Sequence, residues 1–90
     1  MTRAEREAEL RDVINSALKK RKFDASCDAL RFSVDDPSTR PCTVEHEITL
    51  GKTLPDNDVP TVYGLVGETV GKWLEKYKAG ISKTLRKSSI

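Results

Sequence analysis

The stretch that decides the fold is residues 61–87, TVYGLVGETVGKWLEKYKAGISKTLRK. Its apolar residues recur at intervals of three and four, which is the pattern of an amphipathic helix. At about 100° per residue these positions form one broad face. They are Val62, Leu65, Val66, Val70, Trp73, Leu74, Tyr77, Ile81 and Leu85. The pattern predicts a helix over about 61–87.

A row of lysines borders this apolar face. Lys72, Lys76, Lys83 and Lys87 follow one another at spacings of 4, 7 and 4 residues, so they lie along one edge of the helix. Residues 71–90 hold six Lys or Arg and one Glu. The row is either a contact surface for an anionic partner or an ordinary solvated flank, and the sequence leaves both interpretations open.

A second amphipathic helix is predicted near the N-terminus, at about 3–21. Thr2 and Glu5 have the spacing of a capping box, in which each side chain accepts a hydrogen bond from the other residue's backbone N–H. Acidic residues come early in this segment and basic residues come late, which matches the helix dipole. The apolar stripe consists of Leu10, Val13, Ile14, Ala17 and Leu18.

This helix ends in a basic tetrapeptide, Lys19-Lys20-Arg21-Lys22. Runs of this type occur in nuclear-import and nucleic-acid-binding segments. Cations in the last turn of a helix also have a structural role, because they interact with its free carbonyl groups. Lys19 and Lys20 are therefore candidate contact residues with an alternative structural explanation.

Two alternating segments between the helices predict strands at about 28–35 and 42–50. The residues between them, around Pro37 and Ser38, are typical of a turn. A hairpin centred on Ser38 matches both faces, and a shift of one residue would break both matches. It pairs Val34 with Cys42, Phe32 with Val44, Leu30 with His46 and Arg31 with Glu45. Residues 51–60, with two prolines, are predicted to form a loop.

The predicted architecture is an α+β fold in α-β-β-α order, with an antiparallel hairpin packed against two helices and a long amphipathic C-terminal helix. We expect residues 1–90 to form a single domain. A two-stranded sheet alone is marginally stable. A homodimer is therefore favoured over a monomer, formed either edge to edge into a four-stranded sheet or through the long helix.

Three of the four glycines in the C-terminal helix, at positions 64, 67 and 71, cluster on one side of it. Each costs roughly 0.5–1 kcal/mol relative to alanine in a helix interior. Their small size would let another backbone approach, and the first helix of the same chain is the favoured neighbour. A second subunit or a target protein is the alternative, and a third interpretation starts the helix near Gly67.

Composition excludes several classes of protein. Of the 90 residues, 37% are hydrophobic and 33% are charged, which is typical of a globular chain and not of a disordered one. The net charge of +2 is well below that of a dedicated nucleic-acid-binding domain. No apolar run approaches the roughly 20 residues of a membrane span, and the charged N-terminus lacks a secretory segment. We expect a cytoplasmic protein without a membrane partner.

Few residues have the spacing that catalysis or metal binding requires. Residues 46–53, HEITLGKT, end like a phosphate-binding loop, but His46 occupies the position of an essential glycine. This sole histidine stands four residues from Cys42, about 13 Å along a strand, which is too far for proton transfer. We expect no catalytic, cofactor-binding or metal-binding residues, no cofactor, and no enzymatic activity.

Three further side chains have structural interpretations. Cys27 and Cys42 fall near opposite ends of the predicted hairpin, so they are predicted to be free thiols. Trp73 lies at the centre of the apolar stripe and is predicted to lie in the core.

The pattern favours a small, non-enzymatic binding or regulatory module that docks on another protein. The alternative is a nucleic-acid-binding protein that uses the basic stripe on the C-terminal helix to contact phosphates. The candidate interaction surface combines the long helix, the basic tetrapeptide and the outer face of the hairpin. It consists of Lys72, Lys76, Lys83, Lys87, Lys19, Lys20, Arg31, Glu45 and Glu47.

Overall fold

The computed structural model describes residues 2–37 and 41–88, with side-chain surroundings given as far as Tyr77. Two helices and a two-stranded antiparallel sheet follow one another in the predicted α-β-β-α order, which confirms the α+β fold. A single 3-10 turn at Asp56–Asp58 leads into the last helix. The elements are α1 (Arg3–Lys20), β1 (Ala25–Phe32), β2 (Val44–Leu50) and α2 (Val59–Ser88).

The predicted capping box opens α1. The Thr2 side-chain oxygen accepts a hydrogen bond from the Glu5 N–H at 3.2 Å, and the Glu5 carboxylate accepts one from the Thr2 N–H at 3.2 Å. The hydrogen bond from the Thr2 backbone lowers the pKa of Glu5. Two orphan donors at the helix start are thereby satisfied, which explains why α1 begins where the sequence predicts.

The C-terminal end of α1 closes with a Schellman motif. The N–H of Phe23 donates to the Leu18 carbonyl at 3.1 Å, and the N–H of Lys22 donates to the Lys19 carbonyl at 3.0 Å. Lys22 adopts a φ of 60°, the left-handed conformation that glycine usually supplies at this position. The motif turns the chain directly into β1.

The hairpin has the predicted register over its central part. Phe32 pairs with Val44, Arg31 with Glu45 and Leu30 with His46. The ends differ from the prediction, because β1 covers 25–32 and not 28–35, while β2 starts at Val44 and not at 42. The predicted pair of Val34 with Cys42 therefore lies beyond the ladder. Asp35 and Asp36 are instead drawn towards α1 by ion pairs with Arg3 (3.0 Å) and Arg6 (3.7 Å).

A β-bulge at Asp28 explains why the start of β1 was misplaced. Cys27 pairs with Ile48 and Ala29 pairs with Glu47, so Asp28 is the extra residue on this strand. Regular alternation from Phe32 and Leu30 would place Asp28 on the inner face. The bulge places Cys27 there, where it is 3% exposed, and leaves Asp28 in solvent.

The core lies between α1, the inner face of β1 and the first turns of α2. Its fully buried apolar side chains are Leu10, Ile14, Leu18, Phe32, Val62 and Val66. Val13, which the sequence assigned to the α1 stripe, is 38% exposed. Trp73 is only partly buried, and it packs at 5.9 Å from the Phe32 ring and stacks on Tyr77 at 5.2 Å.

The two helices pack antiparallel. Near the start of α1, the Arg6 guanidinium lies 5.3 Å from the centre of the Tyr77 ring on α2. Beyond the end of α1, Arg21 is close enough to Glu68 to contribute to lowering its pKa. None of the described helix segments is long and apolar enough to span a membrane.

The loop after β2 is tied back to the start of β1. It is shorter than the predicted loop at 51–60, because the 3-10 turn begins at Asp56 and α2 begins at Val59. The Gly51 N–H donates to the Asp24 carbonyl at 2.7 Å, and the Thr53 hydroxyl donates to the Asp24 carboxylate at 2.5 Å. A Cβ at Gly51 would lie 2.0 Å from that carboxylate, so the close approach requires glycine. The hydrogen bonds from the Thr53 side chain and backbone lower the pKa of Asp24.

Candidate interaction surface

In its described part, the lysine row on α2 includes an ion pair with a glutamate, so this flank of the helix has both positive and negative charges. Lys72 Nζ lies 2.7 Å from Glu68 Oε1 one turn earlier, and both side chains are more than half exposed. This hydrogen-bonded pair raises the pKa of Lys72 and lowers that of Glu68. Lys76 is exposed, whereas the side chains of Lys83 and Lys87 lie outside the described residues.

The basic end of α1 lies beside the beginning of this lysine row. Lys19 and Lys20 are exposed in the last turn of α1. Arg21 follows them and acts electrostatically on Glu68, which is paired with Lys72. The tetrapeptide therefore lies near Glu68 at the beginning of the lysine row, whereas Lys76 directly precedes Tyr77, which contacts Arg6 near the other end of α1.

The outer face of the hairpin forms a separate surface. Arg31 and Glu45 stand opposite each other in the ladder, Glu47 follows two residues later, and all three are exposed. They border a shallow depression of about 390 Å³ on the sheet. Phe32 on the inner face contacts α2, so these outer residues lie on the side of the sheet that faces away from α2.

The clustered glycines in the N-terminal half of α2 do not pack on α1. Gly64, Gly67 and Gly71 are exposed, and a Cβ added at any of them would meet no atom within 4 Å. The expectation of close packing against the first helix is therefore wrong. So is a helix start near Gly67, because α2 begins at Val59.

Helical geometry explains where the glycines lie. At about 100° per residue they fall on the side of α2 opposite the buried Val62 and Val66. Tyr63, which is 47% exposed, borders the same outer side. The outer face of α2 is defined by Tyr63, Gly64, Gly67 and Gly71. Of the neighbours that the sequence allows for these glycines, α1 is excluded by this position, and a second subunit or a target protein remains.

The histidine and cysteine side chains, which could in principle act in catalysis or bind a metal, have no reactive partner among the described residues. His46 is partly buried on the inner face opposite Leu30. Both cysteines are free, as predicted, and burial raises the pKa of Cys27 while Cys42 is partly exposed. Within the described part of the chain, His, Cys, Asp and Glu form no group of three or more that could hold a metal ion.

Comparison with known protein families, curated proteins and solved structures gives no match. The arrangement of the described residues is the basis for assigning a function. It provides an exposed helix face of small residues, a flank of mixed charge and a hairpin with charged residues outside.

Proposed function

We propose that this chain is a non-enzymatic binding or regulatory module that docks on another protein through the outer face of α2 and its flanking charged row. The observation that carries this proposal is the exposed pair of Glu68 and Lys72 at 2.7 Å. A surface that binds phosphates presents unpaired cations, whereas a protein-binding surface commonly combines both signs. The net charge of +2 supports the same choice.

The glycines support the location of the docking surface. Each of Gly64, Gly67 and Gly71 weakens α2 by roughly 0.5–1 kcal/mol relative to alanine, and none is required by a neighbour within the described residues. A flat helix face allows another backbone to approach closely. Tyr63 beside it offers an aromatic side chain of the kind enriched at protein interfaces.

The proposal includes a cytoplasmic location and a homodimer. Free Cys27 and Cys42 are the state that a reducing compartment maintains. A second copy would extend the two-stranded sheet, and a sheet of only two strands is marginally stable by itself.

Docking is tested by placing larger side chains on the outer face of α2. Gly67→Gln and Gly71→Gln point into open space, so each should raise the free energy of unfolding by about 0.5–1 kcal/mol. The double variant should nevertheless lose the partner captured from the source cell after nuclease treatment. Ser16→Gln, which introduces the same side chain at an exposed position on α1, is the matched control and should retain it. Capture that the double variant retains would contradict docking through this face.

Nucleic-acid binding is the second candidate, and the placement of Lys19 and Lys20 favours it. They are exposed at the helix end whose next residue, Arg21, lies near Glu68 and so near the lysine row. If the lysine row binds phosphates, affinity for duplex DNA or RNA should fall with salt with a log–log slope of about −3 to −4 for four contacts. Replacing Lys72, Lys76, Lys83 and Lys87 by Gln should flatten that slope.

The same titration separates the two candidates. A protein-docking module should bind nucleic acid only near or above about 100 μM at physiological salt. Sub-micromolar, salt-sensitive binding that the four-Gln variant loses would support the second candidate and contradict the first.

A further inference from the structure

We propose that β2 pairs edge to edge with β2 of a second copy of this chain, antiparallel and centred on Ile48, to give a four-stranded sheet. The inference rests on the homodimer included in the proposed function, for which it names the surface and the register. It does not depend on docking through α2.

The outer edge of β1 is already occupied by side chains of α1. The Asn15 amide binds both the N–H and the C=O of Cys27, at 2.7 and 3.1 Å. At the other end of the strand, the Phe32 N–H donates to the Glu7 carboxylate at 2.8 Å, and the Phe32 carbonyl accepts from Arg3 at 2.5 Å. These groups stand where a third strand would have to bind, so β1 is closed to a partner.

The outer edge of β2 is open. The Thr43 carbonyl accepts from the Ser33 N–H at 2.9 Å and the Gly51 N–H donates to Asp24 at 2.7 Å, so odd-numbered residues of this strand bind towards β1. In an antiparallel ladder the intervening residues direct both backbone groups the other way. Val44, His46, Ile48 and Leu50 therefore present N–H and C=O groups outward. Within the described residues, no hydrogen bond from another element reaches them.

This edge lacks most of the features that usually prevent pairing. Proteins protect free edges with charged side chains, especially lysine, with proline or with a bulge. Val44–Leu50 contains no lysine or proline, the bulge lies on β1, and the two charges on this edge, Glu45 and Glu47, exclude some pairing registers but not all. Its inner-face side chains are incompletely covered. Leu50 is 37% exposed, and Val44 and Ile48 are only partly buried. A neighbouring strand would cover both the backbone groups and these apolar side chains.

Charge selects the register in which a second copy can pair. With the twofold axis at Glu47, Glu47 of one copy would stand directly opposite Glu47 of the other. With the axis at His46, Glu45 of one copy would face Glu47 of the other. Like charges in these positions are destabilising, so both registers are disfavoured. With the axis at Ile48, Glu47 faces Thr49 and Glu45 faces Gly51. Ile48 then faces Ile48 and His46 faces Leu50, so the apolar inner faces of both copies join. Of the registers that keep the glutamates from facing each other, this one overlaps the largest part of β2.

Cysteine cross-linking tests the register. In a Cys42→Ser background, Ile48→Cys would place two thiols on opposed residues whose Cα atoms are about 5.5 Å apart, within the range of a disulfide. His46→Cys is the matched control, because two such thiols would lie about 13 Å apart along the strands. We expect a covalent dimer from Ile48→Cys and none from His46→Cys under mild oxidation. Cross-linking at 46 but not at 48 would overturn the register.

Sedimentation of the unmodified chain tests the edge itself. The mass should rise with concentration from 10.1 kDa towards twice that value. His46→Pro removes an outward N–H without removing a bond to β1, so it should raise the dimer dissociation constant at least tenfold relative to His46→Ala. A chain that stays monomeric at millimolar concentration, or a dimer that His46→Pro leaves unchanged, would overturn the proposal. Neither result would affect the docking test with Gly67→Gln and Gly71→Gln.

Discussion

The side-chain amide of Asn15 binds the backbone of Cys27 twice, as a neighbouring β-strand would. Asn15 Oδ1 accepts from the Cys27 N–H at 2.7 Å, and Asn15 Nδ2 donates to the Cys27 carbonyl at 3.1 Å. The contact falls at the residue before the bulge, where β1 departs from a regular ladder. Asn15 of α1 thus holds the backbone of β1 at the residue beside the bulge, where the buried Cys27 side chain faces the core.

Removing this amide should destabilise the protein. Asn15→Ala leaves both backbone groups of Cys27 without their partner, so we expect the free energy of unfolding to fall by about 1–3 kcal/mol. Ser16→Ala, at an exposed position on the same helix, should change it by less than about 0.5 kcal/mol. Urea unfolding followed by Trp73 fluorescence gives both values. Equal effects of the two changes would show that the Asn15 contact contributes little.

Replacing Lys22 by glycine should stabilise the end of α1. Lys22 has a φ of 60°, which strains an L-residue with a side chain and suits glycine. We expect Lys22→Gly to raise the melting temperature, whereas Lys19→Gly within the helix should lower it by removing a good helix former. Differential scanning calorimetry measures both. A lower melting temperature for Lys22→Gly would contradict the Schellman motif.

Trp73→Ala should destabilise the protein less than the loss of a fully buried aromatic residue would. Trp73 contacts Phe32 and Tyr77 but is only partly buried. We expect a loss of about 2–3 kcal/mol, below the 3–5 kcal/mol of a fully buried aromatic side chain. Tyr63→Ala, at a 47% exposed position, should have a small effect. Thermal unfolding followed by circular dichroism suits both variants, and a loss under about 1 kcal/mol for Trp73→Ala would contradict the packing.

The two thiols should react at very different rates. Burial protects Cys27 and raises its pKa, so little thiolate is present and reagents cannot reach it. Cys42 is partly exposed. Mass spectrometry after brief treatment with iodoacetamide should show one modification on the native protein and two after denaturation. Rapid modification of both thiols in the native protein would contradict the burial of Cys27.

Acid should weaken the tie between Asp24 and the loop after β2. Hydrogen bonds from Thr53 lower the pKa of Asp24 in the folded state. Its contribution to stability is therefore fully present above the unfolded pKa of about 3.9 and is lost as pH falls through the lower folded value. Unfolding measured between pH 7 and pH 2 should show a smaller acid-induced loss for Asp24→Asn than for the original chain. Identical pH profiles of the two proteins would show that Asp24 does not contribute to the loss of stability in acid.

The sequence predicted those parts of the fold that depend on regular repetition. The register of Leu30 with His46 and Phe32 with Val44 followed from alternation, and the start of α1 followed from the spacing of Thr2 and Glu5. The start of β1 was missed because one extra residue at Asp28 interrupts alternation. No local pattern distinguishes a bulge from the end of a strand.

The candidate surface was predicted less completely, for two reasons. The spacing of the lysines predicts a row of cations, but Glu68 stands four residues before Lys72, the spacing at which a helix forms an ion pair, and it pairs with that lysine. The cost of Gly64, Gly67 and Gly71 to helix stability favours a neighbour in α1, yet their angular position opposite Val66 places them in solvent. Which partner contacts them depends on a molecule outside this chain.

The antiparallel contact between α1 and α2 also determines an order of events during folding. α1, β1 and β2 follow one another closely in the chain, so their contacts close short loops. The contact of Arg6 with Tyr77 joins residues near opposite ends of the described chain and closes a long loop. We therefore expect α1 and the hairpin to assemble first, with a half-covered core. On a ribosome, α2 emerges after α1 and the hairpin, and its arrival covers the rest of this core.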